Sequence, residues 1–557
     1  METDNPTQVV FAYHERTKHH PDRYAASPGY LDWETQPDPF RRHDGAPLLP
    51  LPVALTADGP RWDDLFNIAG VALRPLDRES VAQFFQDALG LSALKEYEGA
   101  RWSLRVNPSS GNLHPTEGYL LAGPVQGLHP APALYHYAPQ VHGLEMLREV
   151  PDSLWNRLSR QLPPGAFLVG LTSIHWRESW KYGERAFRYC QHDVGHALGA
   201  LAVSAAVLGW RARLLETAGD TALSALLGVD RQRGIEAERP DCLVAVYPGN
   251  QAFTFEMWRG FRLPPELIKA MGELPASGTP NTLSSAHREW PVIDAVSAVA
   301  EHAEVPGEEY WSGERNETEP LAGPVRPCRA RAIIRQRRSA VAMDEHTRME
   351  CAAFFAMLSR TLPGRSNPVF AVAPWRPMAH LLLFVHRVRG LAPGLYLLVR
   401  DMNRFNDLKG SMRKEFLWER AEGCPGSLPL FLLAKADVAQ AALMVSCNQE
   451  IASDGAFAVG MLAEFEAPIM ANGAWFYRRL FWESGMVGQL LYLEAEAAGL
   501  RGTGIGCFFD DMVHQLLGLV GLRWQSLYHF TVGGHVEDLR VRTLSPETYF
   551  AGHTVYR

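Results

Sequence analysis

The sequence predicts an α+β protein made of two related halves, in each of which helices surround a mainly antiparallel sheet. Three observations favour this class. Each half contains one long apolar helix pattern, this pattern ends at a glycine before a strand-like run, and further strand-like runs flank it. A constant offset aligns the two patterns and places Asp193 opposite Glu483 and Gly209 opposite Gly499. A fused duplication is the simplest interpretation.

The long helix is predicted within YGERAFRYCQHDVGHALGALAVSAAVLGWRARLL in the first half and NGAWFYRRLFWESGMVGQLLYLEAEAAGLRGTGIGCF in the second. The strand predictions are FLVGLTSIHW and DCLVAVYPG in the first half, and AALMVSCNQE and SLYHFTVGGHV in the second. Small residues at Gly199, Ala202 and Ala206 permit close approach of another helix. We therefore expect the two long helices to pack together, as a pseudo-dimer within one chain.

Domain boundaries follow from a weakly patterned stretch that is rich in Pro, Gly, Glu and Thr. The length of 557 residues allows three to four ordinary domains or two large ones. We expect an N-terminal extension over residues 1–62, a first domain over 63–271, a linker over 272–328 and a second domain over 329–557.

Composition and charge narrow the class of partner. The net charge of −8 and the absence of a long basic block argue against nucleic acid, so a small-molecule ligand fits better. The seven cysteines are scattered without a CxxC pair, which favours reduced thiols in the cytoplasm. The N-terminus does not resemble a signal peptide, and the apolar run ALGALAVSAAVLGW is shorter than the ~20 residues of a membrane span. We expect a cytoplasmic protein without a membrane segment.

The segment NPSSGN, Asn107 to Asn112, is a candidate binding loop. It offers two hydroxyls, a carboxamide and a glycine that lets the backbone approach the edge of a flat heterocycle. The same residues also compose an ordinary turn, because Pro, Ser and Gly are favoured in turns for conformational reasons. Both interpretations stay open at this point.

Two cationic segments of the second half suit a phosphate dianion, which guanidinium groups bind through charge-assisted hydrogen bonds. IIRQRRSAVAMD contributes Arg337, Arg338 and Ser339. HVEDLRVRT places Arg540 and Arg542 two residues apart, on one side of an extended chain. A solvated basic face is the alternative explanation of the first segment.

Lys181 and Tyr182 begin the predicted long helix of the first half. Either side chain can exchange a proton when burial or neighbouring cations lower its pKa. The plainer alternative is a surface lysine beside an anchoring aromatic ring.

Three other motifs carry less weight. His192 and His196 have zinc-like spacing, but no third ligand is evident, so we expect no metal site. GTGIG at residues 502–506 lacks the βαβ frame of a dinucleotide site. No nucleophile-elbow sequence surrounds Ser109 and Ser110, which argues against a hydrolase.

Together these motifs resemble the nitroreductase-like FMN oxidoreductase superfamily, and the first half resembles its SagB/ThcOx-type dehydrogenase group. The resemblance covers approximately residues 63–249 and 329–543. It implies two nitroreductase-like domains fused as an intramolecular pseudo-dimer, where most members pair two subunits. It also implies FMN as cofactor, NAD(P)H as a transient electron donor, and a small-molecule or modified-peptide substrate.

The resemblance assigns flavin contacts to both halves. In the superfamily, the phosphate and one side of the flavin are held by three segments: an RRS-type segment, the glycine-containing strand after the long helix, and a C-terminal basic pair. A PSSxN loop of the other half adds further contacts to the flavin. The matching residues are Arg337, Arg338, Ser339, Gly506, Arg540 and Arg542 in the second half, and Pro108, Ser109, Ser110 and Asn112 in the first. Lys181 and Tyr182 match the Lys-Tyr pair of azoline dehydrogenases.

Each half lacks what the other retains. The nearest match to RRS in the first half is VALRPLDRES, and the second half has only GRSNPVF in place of PSSxN. We therefore expect one intact FMN site per chain, and Val341 stands where the superfamily often has another cation. The resulting hypothesis is an FMN-dependent oxidoreductase. The alternative is a flavin-poor scaffold or partner subunit of a peptide-modifying complex.

Overall fold

The computed structural model describes residues 5–54, 56–67, 70–251, 255–303, 328–364 and 366–546. The helices are α1 Pro6–Arg16, α2 Arg78–Ala88, α3 Asp152–Ser159, α4 His175–Tyr182, α5 Ala186–Val207, α6 Asp220–Leu227, α7 Phe255–Gly260, α8 Pro265–Glu273, α9 Pro291–Val299, α10 Ala330–Gln336, α11 Cys351–Arg360, α12 Pro368–Ala371, α13 Phe405–Ser411, α14 Ala439–Val445, α15 Ile451–Asp454, α16 Glu466–Asn472, α17 Phe476–Ala497 and α18 Asp510–Leu517.

The strands are β1 His43–Asp44, β2 Leu48–Pro50, β3 Leu91–Tyr97, β4 Ala100–Arg105, β5 Thr116–Ala122, β6 Ala133–Ala138, β7 Gly143–Glu149, β8 Phe167–Ser173, β9 Trp210–Leu214, β10 Arg239–Pro248, β11 Thr279–Pro280, β12 Met349–Glu350, β13 Ala379–Val385, β14 Val388–Arg389, β15 Gly394–Leu398, β16 Glu419–Arg420, β17 Leu430–Lys435, β18 Phe457–Glu464, β19 Arg501–Ile505, β20 Trp524–Gly533 and β21 Arg542–Leu544.

A seven-stranded sheet lies at the centre of each half. The strand orders are β2-β7-β6-β5-β8-β10-β9 and β16-β17-β15-β13-β18-β20-β19. All neighbouring strands in these two sheets run antiparallel. The run β5-β8-β10-β9 of the first sheet corresponds to β13-β18-β20-β19 of the second. The predicted α+β class, duplicated within the chain, is confirmed.

The two long helices, α5 and α17, have 22 residues each and are buried along their whole length. Each is followed by a glycine in the left-handed region, Gly209 (φ +70°) and Gly499 (φ +73°), which terminates the helix as predicted. The helices cross at Gly195 and Gly485, where a Cβ on either would collide with the backbone of the other helix. One hydrophobic core joins both helices and both sheets, so the two halves pack against each other.

One strand prediction is wrong. Helix α14, Ala439–Val445, includes the first five residues of AALMVSCNQE, and a turn follows in which Cys447 and Asn448 have positive φ. The strand that corresponds to β8 is β18, where the constant offset of the two halves places it. The error has a physical reason, because the periodicity of a short apolar run does not distinguish a buried strand from a buried helix.

Segments from both ends of the chain cross between the halves. Helix α1 lies against the second half, where His14 hydrogen-bonds Tyr477 (3.3 Å) and Gln525 (3.1 Å). Strand β21 pairs with β3 of the first half, and β2 adds an edge strand to the first sheet. Within the predicted linker, α9 is helical and residues 304–327 lie outside the described residues. The division into domains stays a prediction.

The described part of the chain contains no helix that combines the length and the apolar character needed to cross a bilayer.

A buried charge network ties strands of the first sheet together. His136 on β6 hydrogen-bonds Glu117 through Nε2 and Glu145 through Nδ1, both at 3.0 Å. Arg177 of α4 forms an ion pair with Glu117. All four side chains are almost fully buried, so each charge depends on its partners for compensation.

This network predicts a stability loss at alkaline pH. Although burial opposes the charged ring, the hydrogen bonds of Glu117 and Glu145 raise the pKa of His136 to about 9. Because this value exceeds the ordinary histidine pKa of about 6.5, the stabilisation is complete below pH 6.5 and is lost as the pH rises through 9. We expect the free energy of unfolding in urea to fall by on the order of 1–3 kcal/mol from pH 6 to 9.5. His136→Gln should lack this component, and equal pH slopes in both proteins would contradict the assignment.

Candidate functional site

A cavity of about 650 Å³ lies between the two halves, within the size range of small-molecule sites. Its wall comes from the β3–β4 hairpin, the NPSSGN loop and α5 of the first half, and from the RRS segment and β19 of the second. The predicted residues that line it are Pro108, Ser109, Ser110, Asn112 and Tyr182 of the first half, and Arg337, Arg338, Ser339 and Gly506 of the second. The structure thus brings these predicted residues to one place from distant parts of the chain.

Three predicted residues lie outside the cavity wall. Arg540 and Arg542 form exposed ion pairs with acidic neighbours. Val541 and Thr543 line the cavity instead, because successive residues of an extended segment point to opposite sides. The two arginines share one side, as predicted, but that side faces solvent. Lys181 lies behind the NPSSGN loop, where its Nζ would be 3.2 Å from a Cβ on Gly111.

The NPSSGN loop is held in shape by its own hydrogen bonds. The Ser109 hydroxyl accepts from the backbone N–H of His114 (2.8 Å). The Asn112 amide donates to the Ser103 carbonyl (2.9 Å), and its oxygen lies 2.9 Å from Nε2 of His114. Gly111 has φ +60°, and a Cβ there would lie 2.6 Å from the Tyr182 hydroxyl. The loop therefore requires glycine at this position, and Asn112 both lines the cavity and holds the loop in shape.

One end of the cavity is cationic. Lys95, Arg338 and Arg501 all line it. The pKa of Lys95 is lowered by burial and by the charges of Arg338 and Arg501. The pKa of Arg338 is lowered to about 10 by burial and by the charge of Arg337. Nη1 of Arg337 and Nε of both Arg338 and Arg501 are buried and make no hydrogen bond to the described residues. This end offers a set of charged donors suited to a dianion.

Contacts with β19 and α17 fix the RRS segment at this end. The backbone of Ser339 pairs with Gly502, and its hydroxyl lies 2.9 Å from that of Tyr492. The Tyr492 hydroxyl also accepts from the backbone N–H of Gly504 (2.8 Å). The Arg337 guanidinium lies over the Tyr492 ring, 5.0 Å from its centroid. The cations are therefore positioned before any ligand binds.

Two buried carboxyl groups lie behind the NPSSGN loop, at the end of the cavity that this loop lines. The Ser109 hydroxyl donates to Glu178 Oε1, and the Ser110 N–H donates to Asp193 Oδ1, both at 3.3 Å. The second oxygen of each carboxyl is buried without a hydrogen bond to the described residues. Burial raises the pKa of Asp193 to about 8, and burial and the Asp193 charge raise the pKa of Glu178 as well. The pair therefore holds a proton at neutral pH.

Tyr182 and Tyr189 complete this end, with ring centroids 4.6 Å apart. The Tyr189 hydroxyl donates to the carbonyl of Gly506 (3.2 Å). Burial and the charge of Glu178 raise the pKa of Tyr182, so the phenol stays protonated at neutral pH. The expectation of a lowered phenol pKa is wrong, since burial and the charge of Glu178 raise the pKa although Lys181 Nζ lies 5.4 Å from the centre of the Tyr182 ring.

The placement of Lys181 and Tyr182 at the start of the long helix is also wrong. They end the short helix α4 instead, because Gly183 (φ +55°) interrupts the chain before α5 begins. They therefore lie at the C-terminus of a helix and not at the N-terminus of the long helix.

Sequence reasoning missed four residues of the two charged groups at the site: Lys95, Arg501 and Asp193 line the cavity, and Glu178 lies behind its wall. Lys95, Arg501, Glu178 and Asp193 come from separate elements and meet only through the tertiary fold. A signal existed for two of them: Arg501 directly precedes GTGIG, and Asp193 lies within HDVGH. The sequence offers no such signal for Lys95 or Glu178.

Among the described residues, a buried ion pair occupies two positions of the pseudo-symmetric counterpart of this cavity. The constant offset places Arg479 opposite Tyr189 and Glu216 opposite Gly506. These two residues form a buried ion pair. The Arg479 guanidinium also lies 4.1 Å from the ring centroid of Trp475 and 5.0 Å from that of Trp375.

Comparisons with known proteins support one fold family. Residues 428–534 match the sequence profile of the nitroreductase family. A crystal structure of a candidate nitroreductase from Anabaena variabilis is similar over 95% of this chain and 99% of that chain, with a TM-score of 0.67 and 20% identity.

Two further solved structures match about two fifths of this chain. One is a candidate nitroreductase from Ralstonia eutropha, with a TM-score of 0.28, 14% identity, and 41% of this chain and 98% of that chain covered. The other is the E. coli microcin synthetase McbBCD complex with truncated pro-MccB17 bound, with a TM-score of 0.27, 13% identity, and coverage of 40% and 79%. No curated protein matches the sequence significantly. The chain thus has a two-domain nitroreductase fold, with a nitroreductase-family match across residues 428–534 of its second half.

Proposed function

We propose that this chain is an FMN-dependent oxidoreductase that transfers a hydride between the flavin and a small-molecule or peptide-derived substrate. The observation that carries the proposal is the cavity between the halves. It joins the NPSSGN loop of the first half to the RRS segment of the second. The nitroreductase fold supports the same cofactor.

The two ends of the cavity fit the two ends of FMN. Lys95, Arg338 and Arg501 would hold the phosphate, since their charges repel one another and buried N–H groups of the two arginines lack hydrogen bonds. Ser109 and Ser110 would face the flavin ring edge, whose carbonyl and N–H groups match hydroxyl and backbone donors. The exposed side chain of Val341 lines the cavity and adds no charge.

Bound FMN would supply a ring that accepts or donates a hydride. The chain would manage the accompanying proton. Asp193 and Glu178 hold a proton on a carboxyl oxygen near neutral pH, and the Ser109 hydroxyl links the pair to the cavity wall. The protonated Tyr182 hydroxyl adds a donor at the same end. These groups would orient a substrate and exchange a proton with it.

One flavin per chain is expected, because side chains close the pseudo-symmetric position. An arginine there would need to leave a buried ion pair and a pocket of tryptophan rings before a second flavin could enter. Breaking a buried ion pair leaves an uncompensated charge and is strongly unfavourable.

The proposal is tested by titrating the flavin-free chain with FMN and with riboflavin. Quenching of flavin fluorescence measures binding. We expect about one FMN per chain and at least tenfold weaker riboflavin binding, because one charge-assisted hydrogen bond contributes about 1.5–3 kcal/mol. Arg338→Met should weaken FMN binding by about tenfold or more and leave riboflavin binding unchanged.

Arg540→Met is the matched control, because this arginine lies outside the cavity and should not affect either ligand. Two flavins per chain, or equal affinities for FMN and riboflavin, would contradict the proposed site. A chain that binds neither ligand would favour the role of a partner subunit.

A further inference from the structure

Two cysteines meet at the wall of the cavity. Cys447 lies in the turn after α14, and Cys507 lies in the segment after β19. Their sulfur atoms are 2.8 Å apart, and both residues are partly exposed free thiols. Cys507 also lines the cavity, so a small molecule that enters it can reach this sulfur.

Hydrogen bonds hold the two segments together on both sides of the thiols. The Gln449 amide donates to the Cys507 carbonyl (2.9 Å) and to the Ser446 carbonyl (2.8 Å). The backbone N–H of Phe509 donates to the carbonyl of Val445 (2.9 Å). The approach of the sulfurs therefore results from the fold of both segments and not from two loose side chains.

The turn that carries Cys447 has an unusual backbone. Cys447 and the following Asn448 both have φ of +56°, in the left-handed region that non-glycine residues seldom adopt. Such a conformation persists only where the surrounding structure fixes it, and it is concentrated at functional sites.

The two thiols differ in acidity, as a reactive pair requires. The hydrogen bond with Cys447 and the charge of Arg185 lower the pKa of Cys507, against burial and the charge of Asp510. Arg185 is fixed nearby, since its guanidinium donates to the Gly506 carbonyl (3.3 Å). The hydrogen bond with Cys507 and burial raise the pKa of Cys447. Because Cys507 lines the cavity and Cys447 does not, a small molecule in the cavity meets Cys507 first, so Cys507 is assigned as the nucleophile and Cys447 as the resolving thiol.

We propose that Cys447 and Cys507 form a reversible dithiol–disulfide redox site whose reaction partner is a small disulfide. The Cys507 thiolate attacks one sulfur of the small disulfide, a mixed disulfide forms, and one small thiolate leaves. Cys447 then loses its proton and attacks the Cys507 sulfur, which releases the second small thiolate. Both small thiolates take up protons. Two protein thiols are oxidised, and the small disulfide is reduced to two thiols.

The test uses the full chain with glutathione disulfide as the probe. After incubation, alkylation of the remaining thiols and mass spectrometry, we expect two thiols to be protected. Peptide mapping should show a link between Cys447 and Cys507, and excess glutathione should reverse it. In Cys447→Ser the reaction should stop at one glutathione bound to Cys507. In Cys507→Ser no link should form.

Cys351→Ser is the matched control, because Cys351 is also partly exposed and is not one of the paired thiols. It should form the disulfide to the same extent as the wild type. Circular dichroism and thermal melting establish that each variant is folded. The proposal is overturned if folded wild-type chain forms no Cys447–Cys507 link at any ratio of glutathione disulfide to glutathione. It is also overturned if the link forms only after denaturation.

Discussion

Either half expressed alone is expected to lose FMN binding entirely. Residues 1–303 would retain the NPSSGN loop without the RRS segment. Residues 328–557 would retain the RRS segment without the NPSSGN loop. Each half would also expose the interhelical face of α5 or α17, which is buried along its whole length in the intact chain. Burial of apolar surface contributes roughly 25 cal/mol per Å², so aggregation of the separate halves is expected.

Size-exclusion chromatography and flavin absorbance measure this result. The control is the two halves co-expressed as separate chains, because they can still pack through their long helices and should recover flavin. If residues 1–303 alone retained one FMN per chain, the assignment of the phosphate site to the second half would be wrong.

Asp193→Asn is expected to lower kcat by about 10²–10⁴-fold, the usual size of a general acid–base contribution. The variant keeps an acceptor for the Ser110 N–H but cannot exchange a proton. FMN affinity should stay within threefold of wild type, since the cationic end of the cavity is unchanged. The wild-type pH–rate profile should show an inflection near the Asp193 pKa of about 8, and the variant should lack it.

Lys181→Ala is the matched control for this experiment. Lys181 is outside the cavity wall, so we expect its turnover within threefold of wild type on any substrate that the wild type accepts. If the turnover of Asp193→Asn stayed within threefold of wild type and its pH profile were unchanged, the proposed catalytic role of Asp193 would be excluded. The proposed flavin site would not be affected by that result.

The fold could be predicted where a pattern extends over many residues. The helices α5 and α17 have long apolar patterns and glycine stops, and their alignment revealed the duplication. The short strand β18 was missed, and AALMVSCNQE was preferred, because a run of this length carries no decisive periodicity. The constant offset was itself sufficient to locate β18, so the information lay in the repeat rather than in the local pattern.

The site could be predicted only where a contiguous motif carried it. NPSSGN and RRS each contain several site residues in a row, so a resemblance identifies them together. Arg540 and Arg542 show the limit of spacing arguments, because alternation places them on one side of the chain but does not say which side faces the cavity. Glu178 gives no local signal, since its environment is created by burial behind a loop of another element.

The pairing of β21 with β3 has a consequence for how the chain matures during synthesis. The β3–β4 hairpin emerges from the ribosome well before β21, the partner of its open edge, has been made. Until then the first half has an unpaired strand edge, which is prone to pair with other molecules. Contacts between such distant segments also fold slowly, because a long loop must close first. The wall of the cavity that carries Lys95 and Thr543 therefore closes only after β21 has been made, and a nascent chain that lacks β21 cannot bind its ligand fully.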